Sequence, residues 1–119
     1  MMASLKVHFS SLKQDWRTPQ DFYKGLDREF HFQDDPCPVN PISDGLTRQW
    51  KSPAFVNPPY AAIAAWVKKS WEQSPAGRTV VMLIPSRTDT RWWHDYVMKA
   101  HEIRFVKGRL RFQGANASA

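Results

Sequence analysis

The chain has 119 residues and a mass of 13.8 kDa, enough for one domain with a real hydrophobic core and too little for more than one. Its net charge of +6 and pI near 9.8 favour a polyanionic partner, nucleic acid ahead of membrane, because no segment approaches the ~20 apolar residues of a spanning helix. Cys37 is the only cysteine, the N-terminus lacks the apolar core of a signal peptide, and His8, His31, His94 and His101 match no metal-ligand spacing; an intracellular protein without disulfide or metal is expected.

Residues 1–14 are polar, with Leu5, Val7 and Phe9 alternating only briefly. A flexible tail and a short edge strand are both open there, and the division adopted is a flexible tail over 1–14, a domain over 15–113 and a disordered Ala/Asn/Ser tail over 114–119. At Asp15-Trp16-Arg17-Thr18-Pro19, Thr18 is placed to cap a helix whose first position is Pro19, with Asp21 favourable in the first turn. Phe22, Leu26 and Phe30, with Tyr23 beside them, share one core-facing stripe.

A short strand, His31 to Asp34, then runs into the rigid loop Asp35-Pro36-Cys37-Pro38. A carboxylate at the end of a strand suits hydroxyls or a charged group of a ligand; a solvated turn with local hydrogen bonds is the competing explanation. From Val39 to Ser52 the breakers Asn40-Pro41, Asp44-Gly45 and Ser52-Pro53 predict loop, with a helical turn carrying Leu46 and Trp50 and with Trp50 at the core edge.

The apolar run Ala54-Phe55-Val56 leads into Asn57-Pro58-Pro59-Tyr60, and a helix-period segment from Ala61 to about Gln73 leads out. The two prolines fix their own φ and restrict the residue before each, so Asn57 and the neighbouring carbonyls are held in one extended shape. Asn57 offers an amide oxygen, Pro58 keeps a carbonyl without a backbone donor, and Tyr60 adds a ring for stacking. This set suits an exocyclic amino group on an aromatic ring, whose lone pair two acceptors would localise. The tetrad taken alone is equally compatible with a Pro-rich turn that ends a strand.

In the following helix Ile63, Trp66, Val67, Ser70 and Trp71 face the core, and Pro75-Ala76-Gly77 ends it. Thr79 to Ile84 is a continuous β-branched apolar run, expected as a central parallel strand covered on both faces. Pro85 to Thr90 is the third polar loop to follow a strand, and three such loops from parallel neighbours would meet on one rim of the sheet. Thr88 or Asp89 should cap the next helix, with Trp92, Trp93, Tyr96, Val97 and Ala100 inward and one tryptophan leaning away from the stripe. Glu102–Val106 and Arg109–Phe112 are expected to form an antiparallel hairpin turning at Lys107-Gly108, with Arg109 and Arg111 on one face, open either to phosphate or to plain solvent.

Taken in order, Asp15-Trp16-Arg17-Thr18-Pro19, Glu29-Phe30-His31-Phe32 with Asp35-Pro36-Cys37-Pro38, Asp44-Gly45-Leu46, Phe55 to Tyr60, Ile84 to Trp92 and Lys107-Gly108-Arg109-Leu110 resemble the phage and prophage DNA N6-adenine methyltransferases (Dam-like) from about Asp15 to Gly114. The tetrad is shared with other amino methyltransferases, including those that act on protein glutamine; the ordered set is far more specific. The resemblance implies a small α/β, Rossmann-like methyltransferase sheet, mostly parallel with a C-terminal antiparallel hairpin, using S-adenosylmethionine to methylate adenine in double-stranded DNA inside a bacterial host cell. It implies that Asn57, Pro58, Pro59 and Tyr60 serve the chemistry on a flipped base. Trp16, Thr18, Pro19, Asp35, Pro36 and Cys37 fall on segments that line the cofactor pocket in such enzymes. Arg87, Thr88, Arg91, Arg109 and Arg111 are the expected DNA contacts. No Gly-x-Gly accompanies Asp35, so the cofactor loop would be a Pro-stiffened variant. The family pattern continues beyond the tail with a further apolar strand, so a C-terminally truncated sheet is expected, with a silent DNA-binding relic and a protein-glutamine methyltransferase as the alternatives.

Overall fold

The computed structural model describes residues 2–7 as backbone and residues 18–38, 44–108 and 110 in full. Its elements run β1 (Met2–Val7), α1 (Gln20–Phe30), β2 (Ala54–Val56), α2 (Ile63–Glu72), β3 (Thr79–Ile84), α3 (Arg91–Asp95) and β4 (Glu102–Phe105). The strands form one sheet in the order β2-β3-β1-β4, every pairing parallel. Outside β2, Asp34 adds an isolated parallel bridge to Ala54, supported by Gln33 N–H to the Pro53 carbonyl and Phe55 N–H to the Asp34 carbonyl. The expected strand His31–Asp34 thus shrinks to that single bridge.

The period of two along a strand turns the apolar run of β3 into two cores. Val80, Met82 and Ile84 join Ala54 and Val56 against Ile63, Trp66 and Val67 of α2, Trp92 and Trp93 of α3, and Val97. Val81 and Leu83 join Phe55 against Leu26, with Phe22, Tyr23 and Phe30 of α1 packed around them. Helices therefore cover both faces of the sheet, and each fully buried aliphatic side chain contributes roughly 1.5–3 kcal/mol.

The N-terminal residues correct the expectation of a tail. Met2–Val7 is neither loose nor at the edge: it lies between β3 and β4, in register from Met2 beside Thr79 to Val7 beside Ile84. The reason is backbone accounting. A strand buried on both faces must pair both of its own edges, and β2 takes only three residues of one edge, so a second strand is required along the other.

Elsewhere several local expectations shift. Pro19 precedes α1 without any side-chain cap, and the helix ends at His31 in the left-handed region, where its N–H bonds the Asp27 carbonyl. Trp50 is not an edge plug but fully buried, its ring stacked on Trp66 at 6.0 Å. A 3-10 turn, Tyr60–Ala62, leads into α2. Thr90, rather than Thr88 or Asp89, caps α3 by accepting from Trp93 N–H at 3.3 Å. Both Trp92 and Trp93 are buried, because α3 is a short helix followed by a 3-10 turn at Val97–Lys99 and its path departs from the regular stripe. β4 pairs parallel with β1, from Ser4 beside Glu102 to Val7 beside Phe105. Of the second hairpin arm only Leu110 is described, half-buried against the α1-side core; Arg109, Arg111 and Phe112 lie outside the described residues, as do 8–17 and 111–119.

Candidate active site

Because every pairing is parallel, the segments that leave Asp34, β2 and β3 open on the same rim of the sheet. They carry Asp35-Pro36-Cys37, Asn57-Pro58-Pro59-Tyr60 and Pro85 to Thr90. The three loops expected from the sequence are thus neighbours in space.

Residue by residue, the second loop is anchored rather than loose. Pro58 is fully buried, Pro59 is extended at φ −67° and ψ 143°, and Asn57 and Tyr60 are half-buried. Tyr60 leans on the α2-side core, so one part of its ring packs while another stays open. The Asn57 amide Nδ2 donates to the Thr18 hydroxyl at 3.1 Å, across 39 residues of sequence. Thr18 lies one residue before the Pro19 cap position of α1, and its hydroxyl serves Asn57 instead of the helix. The bond also orients the amide, since it uses the donor end and turns the acceptor, Oδ1, the other way.

In the first loop the two adjacent aspartates have opposite environments. Asp34 is held by a two-pronged ion pair from Arg48, at 2.7 and 2.8 Å, and by Lys51 N–H at 2.8 Å. The Arg48 hydrogen bonds, reinforced by the Lys51 N–H, keep its carboxyl below the usual aspartate range although partial burial opposes them. Asp35 stands at the lip of the site with surface open to solvent. Protein crowding behind it pushes its carboxyl up to about 6, with the Cys37 N–H opposing and the Asp34 charge adding. Tyr23 of α1 comes near it: burial first, then Asp27 and Asp35, raise the phenol. The Tyr23 ring is stacked on Phe32 at 5.6 Å and tilted against Phe55 at 5.1 Å, which ties the floor beside Asp35 to β2.

Behind this loop Gly45 is the most crowded of the described glycines. A Cβ there would overlap the Pro36 carbonyl oxygen and stand 2.8 Å from the Trp66 ring. The Gly45 carbonyl accepts from Trp50 Nε1 at 2.7 Å, and Asp44 accepts from Leu46 N–H at 2.9 Å, which shapes the turn. Pro36 is fully buried under this segment, and Cys37 is half-buried against the α2-side core.

Of the other expected contacts, Arg87, Thr88 and Arg91 are exposed around the third loop and the start of α3. Thr90 Oγ1 donates to the Arg87 carbonyl at 2.7 Å and the His94 ring bonds the Thr88 carbonyl at 2.7 Å, so this loop is also tied down. Pro19 is half-buried beside Thr18, and its carbonyl accepts from Tyr23 N–H. Trp16, Arg109 and Arg111 lie outside the described residues. Sequence reasoning missed Arg48, Tyr23 and Gly45 as parts of the site. Arg48 sits 14 residues from its partner in a stretch without periodicity, and Tyr23 was absorbed into a core stripe; only the pairing of Asp44 with Gly45 carried a signal, and it pointed to a turn.

Among the described residues no group of three or more His, Cys, Asp or Glu is arranged to hold a metal, and no helix is long and apolar enough to cross a membrane. The family model described as DNA N-6-adenine-methyltransferase (Dam) matches residues 7–119. No curated protein and no solved structure matches the chain.

Proposed function

Because the chain belongs to the DNA N-6-adenine-methyltransferase (Dam) family, we propose that it transfers a methyl group from S-adenosylmethionine to the N6 amino group of adenine in double-stranded DNA, on a Rossmann-like sheet. The observation that supports the assignment of roles is the Asn57–Thr18 hydrogen bond, which engages the donor end of the Asn57 amide, so that the acceptor end is the one we assign to the substrate.

In this mechanism the base leaves the duplex, at an unstacking cost of roughly a few kcal/mol, and lies against Tyr60. Asn57 Oδ1 and the Pro58 carbonyl accept the two N6–H bonds, which draws the lone pair out of conjugation and aims it away from the ring. Bound S-adenosylmethionine supplies an electrophilic methyl group on a sulfonium sulfur. The N6 nitrogen would gain one N–C bond as the methyl's bond to sulfur breaks and leaves its electron pair on a neutral thioether, and N6 would shed one proton to solvent. Positioning and fixed acceptors supply the rate, in keeping with the buried Pro58 and the extended Pro59 that stiffen the loop.

The residues at the first loop fit the cofactor chemically. Asp35 is a solvent-open carboxylate at the end of a strand, beside the half-buried Tyr23, and a molecule with ribose hydroxyls and an ammonium group matches that acceptor. Thr18, Pro19, Pro36 and Cys37 would line the same pocket, with Trp16 contributed from the preceding segment. Arg87, Thr88 and Arg91, with Arg109 and Arg111, would bind phosphate, and the net charge of +6 supports a DNA partner. The reaction belongs in the cytoplasm, where DNA and the cofactor meet.

The test is incubation with methyl-labelled S-adenosylmethionine and unmethylated duplex. Label should appear as N6-methyladenine and fall at least about a hundredfold in Asn57→Ala, the scale set by loss of one transition-state hydrogen-bonding group, in protein whose circular dichroism is unchanged. Label on protein instead, or DNA bound without label, would overturn the assignment.

A further inference from the structure

Resting on the assignment of Asp35 to the cofactor pocket, we propose that Arg48 is a positioning residue for the Asp35-Pro36-Cys37 loop, acting through Asp34. The planar guanidinium grips both oxygens of Asp34 at 2.7 and 2.8 Å, and Lys51 N–H takes one of them again at 2.8 Å. The Asp34 side chain is only 10% exposed, so these bonds replace the water it would otherwise hold. Two-point attachment fixes direction as well as distance, which a single ammonium does not.

The same segment braces the loop a second time. Gly45 sits against the Pro36 carbonyl, and its own carbonyl is pinned by the buried Trp50 ring at 2.7 Å. Residues 44–51 therefore form a wall behind Asp35 to Cys37, clasped at one end by Arg48 and packed at the other through Gly45.

The clasp also sets a charge. Among the described residues, Asp35 feels Asp34 beside it and the Cys37 N–H within its loop, lies near Tyr23 of α1, and has Arg48 beyond it on Asp34. Asp34 is the nearest like charge, and Arg48 is the counter-charge that offsets it. Without Arg48, Asp34 loses the largest cause that holds its carboxyl low yet stays ionised at neutral pH, and its charge then acts on Asp35 unopposed. Asp35 would hold its proton to higher pH and accept hydroxyl or ammonium donors less well.

The experiment is calorimetric titration of the full chain with S-adenosylhomocysteine from about pH 5 to 8, across the range where a carboxyl raised to about 6 changes charge, with melting temperatures recorded in parallel. Wild type should lose affinity as the pH falls through about 6, and Asp35→Asn should remove that dependence. Arg48→Gln should weaken binding at neutral pH about tenfold, the scale of one charged hydrogen-bonded pair, and move the midpoint upward. Arg48→Lys should keep the wild-type midpoint while losing affinity, because it preserves charge without the fork. Arg48 variants that bind as wild type does, or that lose affinity equally at every pH in step with melting temperature, overturn the positioning role. Wild type that binds no S-adenosylhomocysteine, or Asp35→Asn with an unchanged profile, overturns the pocket assignment itself and the proposal with it.

Discussion

Gly45→Ala gives the sharpest test of how the first loop is held. Gly45 is buried and its φ is outside the left-handed region, so alanine is conformationally acceptable there. On backbone entropy alone the change would stabilise the fold by about 0.4–1 kcal/mol. The contacts oppose this: the new methyl would overlap the Pro36 carbonyl, a backbone atom of a fully buried proline, and stand 2.8 Å from Trp66, itself stacked on Trp50. Neither neighbour is the end of a flexible side chain. Overpacking of this kind costs about 1–3 kcal/mol, which outweighs the entropy gain and leaves a net loss on the order of 1–2 kcal/mol. For a domain near 100 residues that corresponds to a fall of about 4–8 °C in melting temperature. Thermal melts followed by far-ultraviolet circular dichroism measure it directly. Because the displaced atom belongs to the loop carrying Asp35, stabilisation by added S-adenosylhomocysteine should shrink as well. A variant that melts at or above the wild-type temperature would refute the account of residues 44–50 as a close-packed wall.

Thr18→Val keeps the shape of the side chain but leaves Asn57 Nδ2 without its hydroxyl acceptor; the rate of methyl transfer should fall about tenfold, the scale of one hydrogen bond, with little change in DNA affinity, and an unchanged rate would detach Thr18 from the site. Arg87→Ala and Arg91→Ala remove exposed cations, and each should lower the salt slope of DNA binding by about 1; a slope equal to wild type would remove that residue from the interface. Stability should report Asp35 through pH. Its carboxyl is raised in the folded state, so its contribution is fully present below the unfolded value near about 3.9 and is lost as the pH rises through about 6. Asp35→Asn should therefore gain on wild type in melting temperature as the pH is raised from acid to alkaline, and a difference that stays constant would show that the carboxyl is not raised.

Much of the sheet was legible because it depends on local period. The β-branched run of β3 announced a strand buried on both faces, and the stripes of α1 and α2 announced their packing sides. What escaped was set by partners far along the chain. Met2–Val7 carries little pattern of its own and becomes a strand because β3 needs an edge partner. Thr18 looks like a helix cap but bonds instead to Asn57, 39 residues later. Arg48 carries no signal of its own in the sequence, and its partner Asp34 is fixed by the bridge to Ala54. The apolar elements follow from hydrophobic period, which is written locally; the polar fastenings follow from which loops the parallel sheet gathers on one rim, which is not.

That division bears on how the site works. Among the described residues, each loop on the rim is secured from outside itself: Asp34 by Arg48 and Lys51 N–H, Asn57 by Thr18, and the Thr88 carbonyl by His94. All three loops are further stiffened by buried prolines, Pro36, Pro58 and Pro85. A loop that had to close over its ligand would be expected to carry glycine hinges and few such ties. The three loops at this rim carry prolines and external fastenings instead, an arrangement suited to a reaction in which two acceptors must already stand where the amino hydrogens arrive, so that the conformational cost of catalysis falls on the flipped base and not on the protein.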